Sequence, residues 1–225
     1  MRQDEEQPLS SNEPPGKDLL SGFSELTRPR PRQLSRQALV RSIPNLLTLA
    51  AVLCGLSSIR LSGEGDFAFA AAAIFGAVAL DVADGFLARR LSAVSAIGAE
   101  LDSLADFLNF GVAPAMLLYR GDLHVIGIGG WLIAAAYVLA TGLRLARFNV
   151  QLKSNPTASG SKWFLGLPST GAAVFVLIAE AAAKNTLAAT AAPFFISGVT
   201  VLASALMVSE LRVPTLASIF QRKSR

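Results

Sequence analysis

From Pro44 to about residue 210 the chain is a succession of Ala-, Leu-, Val- and Phe-rich runs separated by short polar connections. A run of roughly 20 mainly apolar residues is long enough to cross the hydrocarbon core of a bilayer as a helix. Six spans are expected, over about 44–62, 67–90, 97–119, 124–147, 167–184 and 187–208. Only 16% of the residues are charged against 52% hydrophobic, where a soluble domain carries about a quarter charged. The expected class is therefore an all-α integral membrane protein. Residues 1–43 contrast with the rest, holding seven Lys/Arg and five prolines. Residues 1–32 lack the apolar core of a signal peptide and read as a disordered cytoplasmic tail. Residues 33–43, beginning QLSRQALVR, read as a short interfacial helix or a basic linker, 44–210 as the six-helix transmembrane domain, and 211–225 as a basic cytoplasmic tail.

The twenty Lys and Arg fix an orientation. Seventeen fall on the side of the N-terminus and three, Arg60, Arg120 and Lys184, on the other. The positive-inside rule then places both termini in the cytoplasm, which requires an even number of spans. Because the net charge of +4 flanks apolar spans, it reflects topology, and nucleic acid is excluded as a partner. One cysteine, Cys54, and one histidine, His124, exclude an internal disulfide, zinc clusters and Ser-His-Asp catalysis. Cys54 reads as packing and His124 as interfacial.

Four aspartates interrupt the apolar pattern: Asp81 and Asp84 late in the second span, Asp102 and Asp106 early in the third. A carboxylate at mid-membrane costs roughly 2.5–3.5 kcal/mol on insertion scales, so four demand a compensating partner. At helical spacing Asp81, Asp84, Gly85 and Ala88 share one face, as do Gly98, Asp102 and Asp106. Asp84 and Asp102 are each about six residues from the basic turn beginning at Arg89, roughly 9 Å below the cytoplasmic rim at 1.5 Å per residue. The two stripes are thus expected to face each other as one cluster. Arg89 and Arg90 are too few to neutralise it, and ligands that are all oxygen favour hard divalent cations, magnesium or manganese, plausibly as a pair. Gly85, Ala88 and Gly98 leave room beside them for a head group, or allow close helix packing.

The segment DVADGFLARRLSAVSAIGAELDSLAD matches D-x-x-D-G-x-x-A-R, eight residues, G-x-x-x-D-x-x-x-D at all eight fixed positions. In this it resembles the CDP-alcohol phosphotransferases. The resemblance implies a six-helix membrane enzyme, usually a homodimer, that moves a substituted phosphate from a CDP-linked donor to an alcohol and releases CMP. It implies further that Asp81, Asp84 and Asp102 bind metal, that Asp106 is the general base and also touches a metal, and that Gly85, Ala88 and Arg89 border the cytidine diphosphate. Direct attack by the acceptor is the simpler expectation, since no residue demands a covalent intermediate.

Three further stretches, SIPNLLTLAAVLCG (42–55), FGVAPA (110–115) and RLARFN (144–149) with the following FLGLP (164–168), look like the membrane-integral phosphatidylserine synthases of that superfamily. After GLP, where a second proline is expected, this chain has Ser169, Thr170 and Gly171. The implied donor is CDP-diacylglycerol, the acceptor L-serine, and the setting a bacterial-type inner membrane with the site at its cytoplasmic face. On the residues themselves, Pro44 suits a helix first turn. Asn45 and Thr48, just inside the rim, are placed to hydrogen-bond a cytosine or phosphate, or to cap. Arg144 and Arg147, one turn apart, suit a carboxylate or lipid phosphate, or a helix end; Asn149 completes the candidate acceptor set. Lys153 and Lys162 read as solvated, and Glu100 points off the aspartate stripe. Glycerol 3-phosphate, an inositol phosphate and choline are the competing acceptors. A small cation transporter is the reading from another class; it requires polar residues in the opposite halves of the spans, where the sequence is almost wholly apolar.

Overall fold

The computed structural model describes residues 36–91, 95–154, 163–209 and 212–214. The readings of residues 1–32, of Lys162 and of most of 211–225 fall outside these. Helix α1 (Arg36–Glu64) is followed by α2 (Phe67–Arg90) and α3 (Ala96–Asp106). The third helical rod continues through a π-helical turn, Phe107–Val112, into α4 (Ala113–Gly121). A 3-10 turn, Leu123–Ile126, leads to α5 (Ile128–Ser154), and α6 (Ser169–Thr186) and α7 (Ala192–Val208) complete the bundle. The remainder is a two-stranded antiparallel ribbon, β1 (Trp163–Leu165) and β2 (Arg212–Pro214), with Phe164 opposite Val213.

Among the described residues four helices are long and apolar enough to cross a membrane, Ser42–Glu64, Phe67–Arg90, Ile97–Gly121 and Ile128–Gln151, rather than the six expected. With 18 and 17 residues, α6 and α7 extend about 26–27 Å at 1.5 Å per residue, short of a hydrocarbon core of about 30 Å. Ionisable Glu180 and Lys184 also fall in the last turns of α6. Two boundaries move as well. Residues 36–43 form no separate element but run unbroken into the first span, so Pro44 lies inside α1 rather than in its first turn. The fourth span starts at Ile128 instead of 124, because Gly127, at φ 67°, ends the 3-10 turn and redirects the chain.

The distribution of side chains is that of a membrane protein. The interior is rich in alanine, including Ala70, Ala77, Ala113, Ala140, Ala172 and Ala203, while Leu46, Leu53, Phe69, Leu139, Ile178 and Phe194 face outward. Lipid gives no hydrophobic reason to bury large side chains, whereas small ones let helices approach closely. Accordingly, α5 packs along α7 and against α4 and the π turn, and α6 packs along α7.

The π turn has a local cause. In an α-helix the Phe110 carbonyl would accept from the N–H of residue 114, which is proline and has none. The Tyr137 hydroxyl on α5 donates to that carbonyl at 3.1 Å in the buried interior. Asn109, in the same turn, approaches the bare backbone of Gly55 on α1, where any Cβ would collide with its Oδ1.

At the end of α2 remote from its aspartates, Lys184 Nζ lies 2.7 Å from Glu180 Oε1 and 3.6 Å from Asp122 Oδ2, over the Phe67 ring. This half of the bundle is therefore not wholly apolar: Glu180 is only 4% exposed, and Gly121 admits its carboxylate.

Candidate active site

Facing stripes of α2 and α3 bring Asp81, Asp102 and Asp106 together, with one carboxylate oxygen of each within 4.8 Å of the others. Oxygens on one magnesium ion, at 2.0–2.1 Å from it, are separated by at most about 4.2 Å. A small side-chain adjustment would thus close the triad on a divalent cation. The donor set, all carboxylate oxygen with no nitrogen or sulfur, suits hard cations. The repulsion among these carboxylates is what a cation would relieve. The residues present therefore fit a divalent metal.

Asp84 does not join the triad. It is buried and accepts a 2.6 Å hydrogen bond from the Thr48 hydroxyl, whose oxygen also lies 3.1 Å from the Pro44 carbonyl. From this position Asp84 forms one wall of a cavity of about 180 Å³ together with Asp102, Asn45, Thr48, Gly85, Ala88, Arg89, Ser95 and Gly98. The two glycines act differently. A Cβ on Gly98 would sit 2.8 Å from Asn45 Oδ1 and 2.9 Å from Ser95 Oγ, so this glycine serves close packing of α1 on the start of α3. At Gly85 a Cβ would meet only the Arg89 guanidinium, at 3.5 Å, so that position keeps the cavity open.

Ser95 was not anticipated. It caps α3, its hydroxyl accepting from the Gly98 N–H at 3.0 Å, and holds the helix start against the cavity. A serine just ahead of an apolar periodic run is the signal that would have found it.

Arg144, Arg147 and Asn149 of the RLARFN stretch meet three different neighbours, although Arg144 and Arg147 lie one turn apart. The Arg144 Nη1 donates to Ser169 Oγ on α6 at 3.3 Å, and its charge interacts with that of Asp106. Its buried Nε has no hydrogen-bond partner. Arg147 donates instead to the Val208 carbonyl at the end of α7, 2.9 Å away, and Asn149 donates to Ser103 on α3 at 3.0 Å. The GLP element completes the clasp on α7. Gly166 adopts φ 71° with the Leu206 and Met207 carbonyls where a Cβ would stand, and the Leu167 N–H donates to Leu206 at 3.2 Å. Outside this region, Glu100 and His124 are exposed, and Cys54 packs against a small core of Ala51, Ala77, Phe110 and Ala173.

Residues 41–213 match the CDP-alcohol phosphatidyltransferase family. The chain belongs to this family. It is 40% identical over 152 residues to a CDP-diacylglycerol–serine O-phosphatidyltransferase of Mycobacterium leprae (strain TN), covering 67% of this chain and 49% of the relative. It is 36% identical over 172 residues to the enzyme of that name from Bacillus subtilis (strain 168), covering 76% and 89%. With that of Helicobacter pylori (strain ATCC 700392 / 26695) the identity is 34% over 173 residues, covering 76% and 71%. The chain thus spans about half the length of the mycobacterial relative and most of the other two. Among phosphatidyltransferases the aspartate triad and the cavity beside it have an evident chemical use.

Proposed function

We propose that this protein transfers the phosphatidyl group of CDP-diacylglycerol to L-serine, forming phosphatidylserine and CMP. The observation that carries the reading is the convergence of Asp81, Asp102 and Asp106 beside a cavity lined by Asp84, Gly85, Ala88 and Arg89, in a family member whose relatives bear that enzyme name. The cavity, at about 180 Å³, has room for a polar head but not for two acyl chains. Those chains would lie along the outward leucines and phenylalanines, in lipid.

In this reading Asp81, Asp84, Asp102 and Asp106 hold two divalent ions, magnesium or manganese. When bound, these ions polarise the pyrophosphate and neutralise charge on the departing CMP. Asn45, Thr48, Gly85, Ala88, Arg89 and Gly98 border the cytidine diphosphate. Asp106, one turn beyond Asp102 along α3, takes the proton of the serine hydroxyl. The hydroxyl oxygen bonds to the phosphatidyl phosphorus as the phosphoanhydride bond to CMP breaks. Arg144 meets the serine carboxylate, since its buried, unpartnered Nε is a donor awaiting an acceptor; Arg147 and Asn149 steady the helix end beside it through Val208 and Ser103. The chain crosses the membrane six times, with α6 and α7 as its shorter passes. Both termini and the site lie on the cytoplasmic side of a bacterial-type inner membrane, and the protein pairs as a homodimer, as the family resemblance implies.

The test is a purified-protein assay with CDP-diacylglycerol and, separately, serine, glycerol 3-phosphate, an inositol phosphate or choline, with magnesium, manganese or chelator. Phosphatidylserine and CMP should form with serine alone, and chelation should abolish them. Product with another alcohol and none with serine would move the acceptor; full turnover in chelator would sink the metal reading.

A further inference from the structure

The hydrogen bond between α1 and α2 at the cavity wall gives Thr48 a role distinct from ligand contact. We infer that Thr48 is a positioning residue for the metal site, fixing the direction in which the Asp84 carboxylate presents its oxygens. This rests on the metal-dependent reading above.

A threonine hydroxyl has one proton to donate. Two acceptors flank it here, the Pro44 carbonyl at 3.1 Å and Asp84 Oδ2 at 2.6 Å. The shorter contact ends on a carboxylate and is the stronger, charge-assisted bond. With its proton committed there, Thr48 can only accept from a nucleotide. Both partners are about 5% exposed, so the bond is shielded from bulk water. Threonine in a helix has few χ1 choices, which restricts where the hydroxyl can stand. The hydroxyl is therefore a fixed post, and Asp84 Oδ2 is tethered to it. The tether thereby sets how the Asp84 carboxylate meets the cavity that it shares with Asp102. The same tether accounts for the absence of Asp84 from the group of Asp81, Asp102 and Asp106: it is held toward α1 while those three converge. Outer contacts that orient a ligating side chain typically change metal affinity by about 10- to 100-fold when removed.

The test measures Mn2+ binding to the full chain in detergent, from the electron paramagnetic resonance signal of free Mn2+, without substrates. T48V, close to threonine in shape, should weaken binding about 10- to 100-fold, and T48S, which keeps the hydroxyl, should restore most of it. T48A, which places no methyl group against the carboxylate, should behave as T48V does and serves if T48V yields no folded protein. In a D84N background T48V should add little, because the two act as one unit. T48V and T48A binding Mn2+ as tightly as wild type, or losses that simply add to those of D84N, would overturn the role of Thr48. Wild-type protein that binds no Mn2+ would overturn the metal reading, and this inference with it.

Discussion

Asp106 is the last residue of α3 before the helix widens into the π turn, one turn beyond Asp102. Asp106→Asn should therefore lower turnover far more than nucleotide affinity, by about 10²–10⁴-fold if the base is lost. Asp81→Asn should lose metal binding as well, and comparing kcat with CDP affinity in the two variants separates the roles. For the arginines the structure sets unlike outcomes. Arg144→Lys removes a forked donor facing Ser169 and Asp106 and should raise the serine KM about ten- to a hundredfold, the equivalent of about 1.5–3 kcal/mol. Arg147→Lys should leave that KM unchanged and cost about 0.5–1.5 kcal/mol of stability through its bond to Val208. A raised serine KM in Arg147→Lys alone would reverse the assignment. The eight motif positions were legible because each aspartate is anomalous in an apolar run. The bonds made by Thr48, Ser169 and Ser103 were not, since a small hydroxyl residue in a helix gives no sign of which distant side chain it meets.

The helices themselves were readable from apolar run length, and α2 spans the 67–90 expected. The π turn was not. Pro114 announces a lost N–H, but a kink, a break and a widened turn all accommodate one, and the choice here depends on Tyr137, 27 residues later. Tyr137→Phe keeps the ring and removes this hydrogen bond, so it should cost about 0.5–1.5 kcal/mol, read as a lowered unfolding midpoint. No change in that midpoint would mean that the carbonyl finds another donor. The start of α7 also escaped the sequence, because the turn at residues 187–191 is itself apolar and extends the hydropathy signal ahead of the helix, whereas α6 has the length expected, displaced by two positions.

Seen as a whole, the molecule has two polar ends unlike in kind. One gathers carboxylates beside a cavity; the other pairs Lys184 with Glu180 and Asp122. The second network was invisible in sequence, since its members come from segments about 60 residues apart. Its internal pairing also weighs against a continuous cation route through the bundle. Orientation is testable at this scale in a Cys54→Ser background. Lys162→Cys should react with an impermeant thiol reagent from the cytoplasmic side, and Val125→Cys, in the exposed 3-10 turn, from the opposite side. Lys162→Cys reacting only from outside would invert the topology and the route by which serine arrives.

The β1–β2 ribbon also bears on where this chain can be cut or fused. Its backbone pairing, Trp163 with Pro214 and Leu165 with Arg212, fastens the segment just ahead of Gly166, which rests on the end of α7. A chain stopped after Glu210 would lose the strand that steadies this clasp. Such a truncation should come out of the membrane in lower yield and melt earlier in detergent than one ending after Pro214. An affinity handle or fluorescent reporter therefore belongs beyond residue 214, where it leaves the ribbon whole.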